Sequence, residues 1–134
     1  MMSEAASENK TVLVTGANGF VGQHVVKLLQ LRAPYIEEIR VVDLQPFSKR
    51  LEYEDRISVK SYVGDICDIN DMYKACRGVD AVIHVAGVVS FGTYPDVDAM
   101  QRVNVQGTQR VVEACIETSV PRLVFTSTID VAVG

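Results

Sequence analysis

Apolar and polar positions follow two periods along this chain, one typical of β-strands and one typical of α-helices. Runs of branched and other apolar residues bounded by turn residues predict five strands, over about 11–15, 39–43, 57–63, 81–85 and 123–126. Apolar residues spaced three and four apart predict helices over about 20–32, 69–76 and 97–118. The core-facing stripe of the first helix is expected to consist of Val21, Val25, Leu28 and Leu29.

Strands that alternate with helices form parallel sheets with helices on both faces. Right-handed crossovers then favour an α/β fold with a doubly wound parallel sheet in the strand order 3-2-1-4-5. The length of 134 residues suits a single domain. We expect residues 1–10 to form a disordered tail and residues 11–134 to form the domain, which is incomplete after its fifth strand.

A glycine-rich turn joins the first strand to the first helix. Gly16, Gly19 and Gly22 follow directly on Thr15 in the spacing G-x-x-G-x-x-G. The first glycine lets the chain reverse off the strand, the second lets backbone N–H groups approach phosphate oxygens, and the third lets the helix pack closely. With a strand before it and a helix after it, the turn predicts a Rossmann-type binding site for a dinucleotide pyrophosphate.

Acidic and small residues follow the next strands at the same edge of the predicted sheet. Asp43 stands about twenty residues past the last glycine, where an acid accepts hydrogen bonds from the adenosine ribose. Its charge repels a 2′-phosphate, so the sequence favours NAD over NADP. Asp65 is expected to reach the adenine amino group, while Ala86 and Gly87 leave room for the cofactor beside the backbone. Asp is also common in ordinary turns at such positions.

Three polar positions lie on the later elements. His84, on the fourth strand, is interpreted as a partly buried structural histidine, because no neighbouring residues form a triad with it. Asn104 belongs to a helical stripe that is expected to face the sheet, formed by Met100, Asn104, Gly107, Val111 and Cys115. For Asn104, a structural role and a role in organising the active site both stay open. Thr126, Ser127 and Thr128 end the fifth strand with hydroxyls that can face a substrate carbonyl.

Composition narrows the class of protein further. A net charge of −4, with no basic cluster beyond Lys49 and Arg50, argues against a nucleic-acid partner. These two cations could soften the effect of Asp43 on cofactor choice. The three cysteines have no metal-ligand spacing, which indicates reduced thiols in a reducing compartment, and all three are interpreted as small core residues. The first ten residues lack the apolar run of a signal peptide.

Taken in order, these motifs resemble the extended short-chain dehydrogenase/reductase family, and within it the 3β-hydroxysteroid dehydrogenase/Δ5-Δ4 isomerase branch. The resemblance covers nearly the whole chain after residue ten and rests on Thr15-Gly-x-x-Gly-x-x-Gly, Asp43, Gly64-Asp65-Ile66, His84-x-Ala86-Gly87, Val103-Asn104-Val105-x-Gly107-Thr108 and Phe125-Thr126-Ser127-Thr128. It implies NAD as the cofactor, contacted by Gly16, Asn18, Gly19, Phe20, Val21, Gly22, Asp43, Asp65, Ile66, Ala86, Gly87 and Asn104.

The resemblance also implies an activity and a setting. Thr128, with Ser127 beside it, matches the hydroxyl that polarises the substrate oxygen, although the trio here is Thr-Ser-Thr where Thr-Ser-Ser is commoner. The implied substrate is a small apolar sterol or steroid. The implied setting is the cytoplasmic side, including association with the endoplasmic reticulum if an anchor lies outside this chain. A homodimer is left open.

The family's Tyr-x-x-x-Lys proton donor is not present in the sequence: Ile39, Ile57, Ile66, Arg77 and Asp98 stand four residues after the five tyrosines. General acid–base chemistry needs such a donor. The chain is therefore interpreted as the amino-terminal, cofactor-binding half of an oxidoreductase. Two alternatives stay open. One is the same half of a flavonoid-type reductase or a sugar-nucleotide epimerase, although Val88, Val89 and Phe91 suit an apolar substrate better. The other is a non-catalytic dinucleotide-sensing or partner-binding module.

Overall fold

The computed structural model describes residues 10–85 and 102–126. The strands are β1 (Thr11–Thr15), β2 (Glu38–Asp43), β3 (Ser58–Val63), β4 (Ala81–His84) and β5 (Arg122–Phe125). The helices are α1 (Phe20–Arg32), α2 (Ile69–Cys76) and α3 (Thr108–Glu117), the last preceded by a π-helical stretch, Arg102–Gly107. The ends of the strands differ from the predicted ends by at most one residue. The predicted tail up to residue 9 and the predicted loop 87–96 lie outside the described residues.

The five strands form one parallel sheet in the order β3-β2-β1-β4-β5, which confirms the predicted topology. Thr15 at the end of β1 is in register with Val42 of β2 and with His84 of β4. The carboxyl ends of the three central strands therefore meet at one edge of the sheet, next to the glycine turn. In doubly wound folds ligands bind at this edge, where the strand order reverses.

Each face of the sheet has its own hydrophobic core. On one face, α2 and α3 cover a cluster that includes Leu13, Val42, Met72, Val82 and Val111. On the other face, α1 covers a cluster that includes Val12, Val14, Val26, Ile39 and Val41. β1 supplies alternate residues to the two cores, which explains why its three middle residues, Val12–Val14, are all apolar.

The predicted core-facing stripe of α1 is confirmed for Val25 and Leu29, which pack against the core under this helix, and is wrong for Val21 and Leu28. Val21 and Leu28 are 50% and 52% exposed, and Val25 and Leu29 are only half-buried. The fully buried residues of the helix are Gly22, Gln23, Val26 and Gln30. The close contact of Gly22 with the glycine turn fixes the rotation of the helix, and the two glutamines are buried because they hydrogen-bond to backbone groups. The spacing of apolar residues predicts neither the Gly22 contact nor the glutamine hydrogen bonds.

The predicted long helix is not a continuous α-helix in its described part. Arg102–Gly107 is π-helical, and α3 begins at Thr108. A Cβ at Gly107 would lie 2.5 Å from Cδ1 of Ile66, so at this residue the helical segment lies against the connection after β3. Short π-helical stretches occur often at functional sites. Of the predicted stripe, Gly107, Val111 and Cys115 are buried, Asn104 is half-buried and Met100 is outside the described residues.

The cap of α2 and the core cysteines follow the sequence-based interpretation. The Asp68 carboxylate accepts hydrogen bonds from the N–H groups of Asn70 and Asp71, as expected of an N-cap. Cys76 and Cys115 are buried, and Cys67 is half-buried. A hydrogen bond with Cys115, together with burial, holds the pKa of the Cys76 thiol well above its ordinary value. Among the described helices, none has the length and apolarity needed to cross a bilayer.

Candidate dinucleotide site

Each glycine of the turn has a different structural environment. Gly16 has a φ of 67°, a left-handed conformation that favours glycine. A Cβ at Gly22 would lie 2.1 Å from the carbonyl oxygen of Gly16 and 2.7 Å from Cα of Ala17, so only glycine fits there. A Cβ at Gly19 would meet only the Gly16 oxygen, at 3.4 Å, which is an ordinary contact. The fold of the described chain therefore requires Gly16 and Gly22, but it does not require Gly19.

The amino terminus of α1 is part of the glycine turn. Gly19 is its N-cap residue, and no side chain caps it. The first N–H groups of an α-helix have no acceptor within the helix. Together with the helix dipole they form a ready anion site. Phe20, the first residue of the helix, is 81% exposed.

Asp43 is held at the end of β2 by backbone groups. Its Oδ2 accepts from the N–H of Asn18 at 2.9 Å, and its Oδ1 accepts from the N–H of Leu44 at 2.8 Å. A carboxylate has about four lone-pair directions, so each oxygen retains acceptor capacity. The side chain is only partly buried. Asp43 is therefore a fixed anion beside the glycine turn that can accept further hydrogen bonds from a ligand.

Three amide side chains hold the connection between β2 and β3, and sequence analysis did not find this role. Asn18 Nδ2 donates to the carbonyls of Gln45 and Pro46, and Asn18 Oδ1 accepts from the N–H of Ser48. Gln23 bridges Ser48 and Arg50 in the same way, and Gln30 bridges Arg56 and Ile57. The sequence carried no signal for this role, because the two glutamines are buried, at 3% and 0% exposed, by partners distant in sequence.

The cations near Asp43 differ in their surroundings. Lys49 pairs with Asp55 at 3.3 Å, and its Nζ lies 4.0 Å from the centre of the Tyr53 ring. It also donates to the carbonyl of Tyr53. Lys49 is therefore engaged away from Asp43. Arg50 is exposed, and its backbone N–H donates to Gln23.

Asp65 and Ile66 lie in the turn after β3. The Asp65 carboxylate accepts from the N–H of Cys67 at 2.9 Å, and its own N–H donates to Asp71. Ile66 is buried against Gly107, so its backbone and not its side chain is available to a ligand. The role of Asp65 in contacting adenine stays a prediction.

His84 is fully buried, 1% exposed, and bridges two threonines. Its Nδ1 lies 2.7 Å from Thr15 Oγ1, and its Nε2 lies 3.1 Å from Thr108 Oγ1. Burial lowers the pKa of His84 to about 4. The interpretation of His84 as a structural residue agrees with this environment, although it is buried more completely than expected.

The remaining predicted site residues either have few described contacts or lie outside the described part of the chain. Asn104 is half-buried, and its carbonyl accepts from the hydroxyl of Thr108 at 2.8 Å, which joins it to the His84 bridge. Val21 and Phe20 are exposed beside the turn. Four predicted residues lie outside the described part of the chain, namely Ala86, Gly87, Ser127 and Thr128.

Solved structures share this fold. Uronate dehydrogenase from Agrobacterium tumefaciens superposes with a TM-score of 0.69 at 27% identity, over 89% of this chain and 41% of that one. UDP-glucose 4-epimerase from Thermus thermophilus, solved in complex with NAD, superposes with a TM-score of 0.70 at 31% identity, over 88% of this chain and 37% of that one.

Proteins related in sequence narrow the family further than the solved structures do. Human 3 beta-hydroxysteroid dehydrogenase type 7 is 38% identical over 133 residues, covering 97% of this chain and 36% of the relative. The mouse protein of the same name is 36% identical over 132 residues, covering 98% of this chain and 36% of the relative. The chain thus spans about a third of the length of these curated relatives. The model of the 3-beta hydroxysteroid dehydrogenase/isomerase family matches residues 13–134, and the chain belongs to this family.

Proposed function

We propose that this chain is the NAD-binding part of an oxidoreductase that acts on the CH–OH group of a sterol or steroid. The observation that carries the proposal is the environment of Gly19. Neither its backbone conformation nor its neighbours within the described chain call for glycine, but a phosphate approaching the helix terminus would. Solved relatives of the same fold carry NAD, and the family is one of hydroxysteroid dehydrogenases.

The residues present fit such a cofactor at two points. The uncapped terminus of α1 would receive the pyrophosphate, and Asp43 would accept hydrogen bonds from the adenosine ribose. A carboxylate in this place repels a 2′-phosphate, which supports NAD in preference to NADP. Bound there, NAD would supply the acceptor for a hydride from the substrate carbon.

The chain's own contribution is to bind and orient. Asp43 and the N–H groups of the turn would hold the adenosine half in a fixed place. Ser127 and Thr128, which follow β5, are proposed to bind the substrate oxygen. When the hydride leaves the substrate carbon, the hydroxyl proton needs an acceptor, and the family's Tyr-x-x-x-Lys, which would take it, is not present in this sequence. For the whole protein, the proposal also includes association with a second copy and with the endoplasmic reticulum membrane.

Calorimetric titration of the chain with NAD tests the proposal, with Gly19→Ser as the decisive variant. Serine is a favoured N-cap residue, so this variant should keep its circular dichroism spectrum and melting temperature. Its side chain would occupy the space that the pyrophosphate needs, so we expect NAD affinity to fall by at least about tenfold. A wild-type chain that binds no NAD, or a variant that binds it equally well, would contradict the proposal.

A further inference from the structure

Asn18 connects three parts of the site through one residue. Its backbone N–H donates to Asp43, the residue proposed to accept from the ribose, at 2.9 Å. Its side-chain Nδ2 donates to the carbonyls of Gln45 and Pro46, both at 3.1 Å, and its Oδ1 accepts from the N–H of Ser48 at 2.8 Å. The glycine turn, the ribose acid and the segment that follows this acid are thus held together before any ligand arrives.

The segment 45–48 is the part of the chain that would have to move for a different cofactor. A 2′-phosphate adds volume and negative charge at the ribose, next to Asp43, and a site that accepts it needs both room and a nearby cation. Lys49, a cation close in sequence, is turned toward Asp55 and Tyr53. Arg50, the next cation, has an exposed side chain, and its backbone N–H is held by Gln23.

We propose that Asn18 determines cofactor choice together with Asp43, by holding the segment 45–48 closed against the glycine turn and so restricting the room for a 2′-phosphate beside Asp43. This inference rests on the proposed binding of NAD. It assigns to Asn18 a positioning role: its side chain acts through Asp43 and the segment, whatever contact it makes with the cofactor itself.

Gln30 provides a matched control. It makes the same kind of amide-to-backbone bridge, with Nε2 donating to the carbonyl of Ile57 and Oε1 accepting from the N–H groups of Arg56 and Ile57, all at 2.8 Å. It lies at the other end of α1, away from Asp43. Replacing Gln30 by alanine therefore removes equivalent hydrogen bonds from the same connection without loosening the segment 45–48.

The test is a titration of NAD and NADP into the wild-type chain, Asn18→Ala and Gln30→Ala. Asn18 has no left-handed backbone conformation, so alanine fits its backbone. We expect Asn18→Ala to lower the preference for NAD over NADP by about tenfold. This factor corresponds to a free-energy difference of about the size of one hydrogen bond. Gln30→Ala should leave the preference unchanged within about twofold, although it lowers the melting temperature.

The outcomes separate this inference from the proposed function. A wild-type chain that binds neither cofactor overturns both. A wild-type chain that prefers NAD, with an equal preference in Asn18→Ala or an equal loss in Gln30→Ala, overturns the role of Asn18 alone.

Amide hydrogen exchange gives a second measurement that needs no cofactor. In the wild-type chain, the N–H groups of Ser48 and Arg50 should exchange slowly, because they donate to Asn18 and Gln23. Asn18→Ala should speed exchange at Ser48 far more than at Ile57. Unprotected Ser48 in the wild-type chain would show that the segment is not held, and the inference would fail.

Discussion

His84 Nε2 lies 3.1 Å from Thr108 Oγ1, and this pair ties the central strand β4 to the start of α3. The hydroxyl of Thr108 donates to the carbonyl of Asn104, so its oxygen accepts from His84. The proton of the imidazole is therefore on Nε2, and Nδ1 accepts from the hydroxyl of Thr15, which in turn accepts from the N–H of Val85. In this bridge the neutral imidazole accepts from Thr15 and donates to Thr108.

The bridge predicts a pH-dependent stability. Burial lowers the pKa of His84 to about 4 in the folded chain, whereas an unfolded histidine has a pKa of about 6.5. Above pH 6.5 both states are neutral and the stabilisation is complete. As the pH falls from 6.5 toward 4, the unfolded state takes up the proton first, so the free energy of unfolding should fall by about 3 kcal/mol from this group.

Urea unfolding at several pH values between 4 and 8 measures this slope. His84→Gln should be less stable at pH 7.5 by about 1–3 kcal/mol, because buried hydrogen-bond partners lose their geometry, and its profile should be flatter below pH 6.5. His24→Gln, at an exposed position, is the control and should keep the wild-type slope. Equal slopes in the wild-type chain and in His84→Gln would contradict the account of the bridge.

The two later glycines of the turn should respond in opposite ways to substitution. Gly22→Ala places a Cβ 2.1 Å from the Gly16 oxygen and should destabilise the fold by about 3 kcal/mol, because backbone must move. Gly19→Ser should change the stability by less than about 1 kcal/mol. Thermal unfolding followed by circular dichroism compares them. Equal melting temperatures for the two variants would mean that α1 does not pack against the turn as described.

Much of this architecture was predictable from the sequence because its causes are local. The branched runs of β1 and β2, the glycine spacing and the Asp68 cap act over a few residues, and together they led to the confirmed strand order. The orientation of α1 was not predictable, because Gln23 and Gln30 are buried by backbone partners more than twenty residues away in sequence. The π-helical stretch before Thr108 likewise depends on how closely Gly107 passes Ile66, a contact between distant segments.

The 134-residue chain should not oxidise 3β-hydroxysteroids at a measurable rate. Hydride transfer to NAD requires a base for the hydroxyl proton, and the sequence contains no Tyr-x-x-x-Lys to act as one. The measurement is NADH absorbance in the presence of a 3β-hydroxysteroid, with a longer member of the family as the positive control. Robust NADH formation by the pure chain would refute the assignment of proton transfer to residues that this sequence lacks.

The chain should also self-associate through β5. Leu123, Val124 and Phe125 are 37%, 54% and 56% exposed, and contiguous exposed apolar residues on a sheet edge favour association. Val124→Lys should lower the sedimentation-average mass, whereas Val112→Lys, on an exposed position of α3, should not. Saturating NAD should raise the melting temperature by mass action. A monodisperse wild-type monomer would show that the exposed residues of β5 do not drive association. A melting temperature that saturating NAD leaves unchanged would contradict stabilisation by the cofactor.

The central claim, that NAD binds on the glycine turn with its ribose at Asp43, is tested most directly by titrating NAD into ¹⁵N-labelled chain and mapping the amide shifts. The account predicts that the largest shifts fall on residues 16–22, on Asp43 and Leu44, and on Asp65 and Ile66. The amides of α2 and of the carboxyl-terminal half of α1 should move little, because they lie away from this edge of the sheet. Saturating NAD that leaves the amides of residues 16–22 unshifted would contradict it.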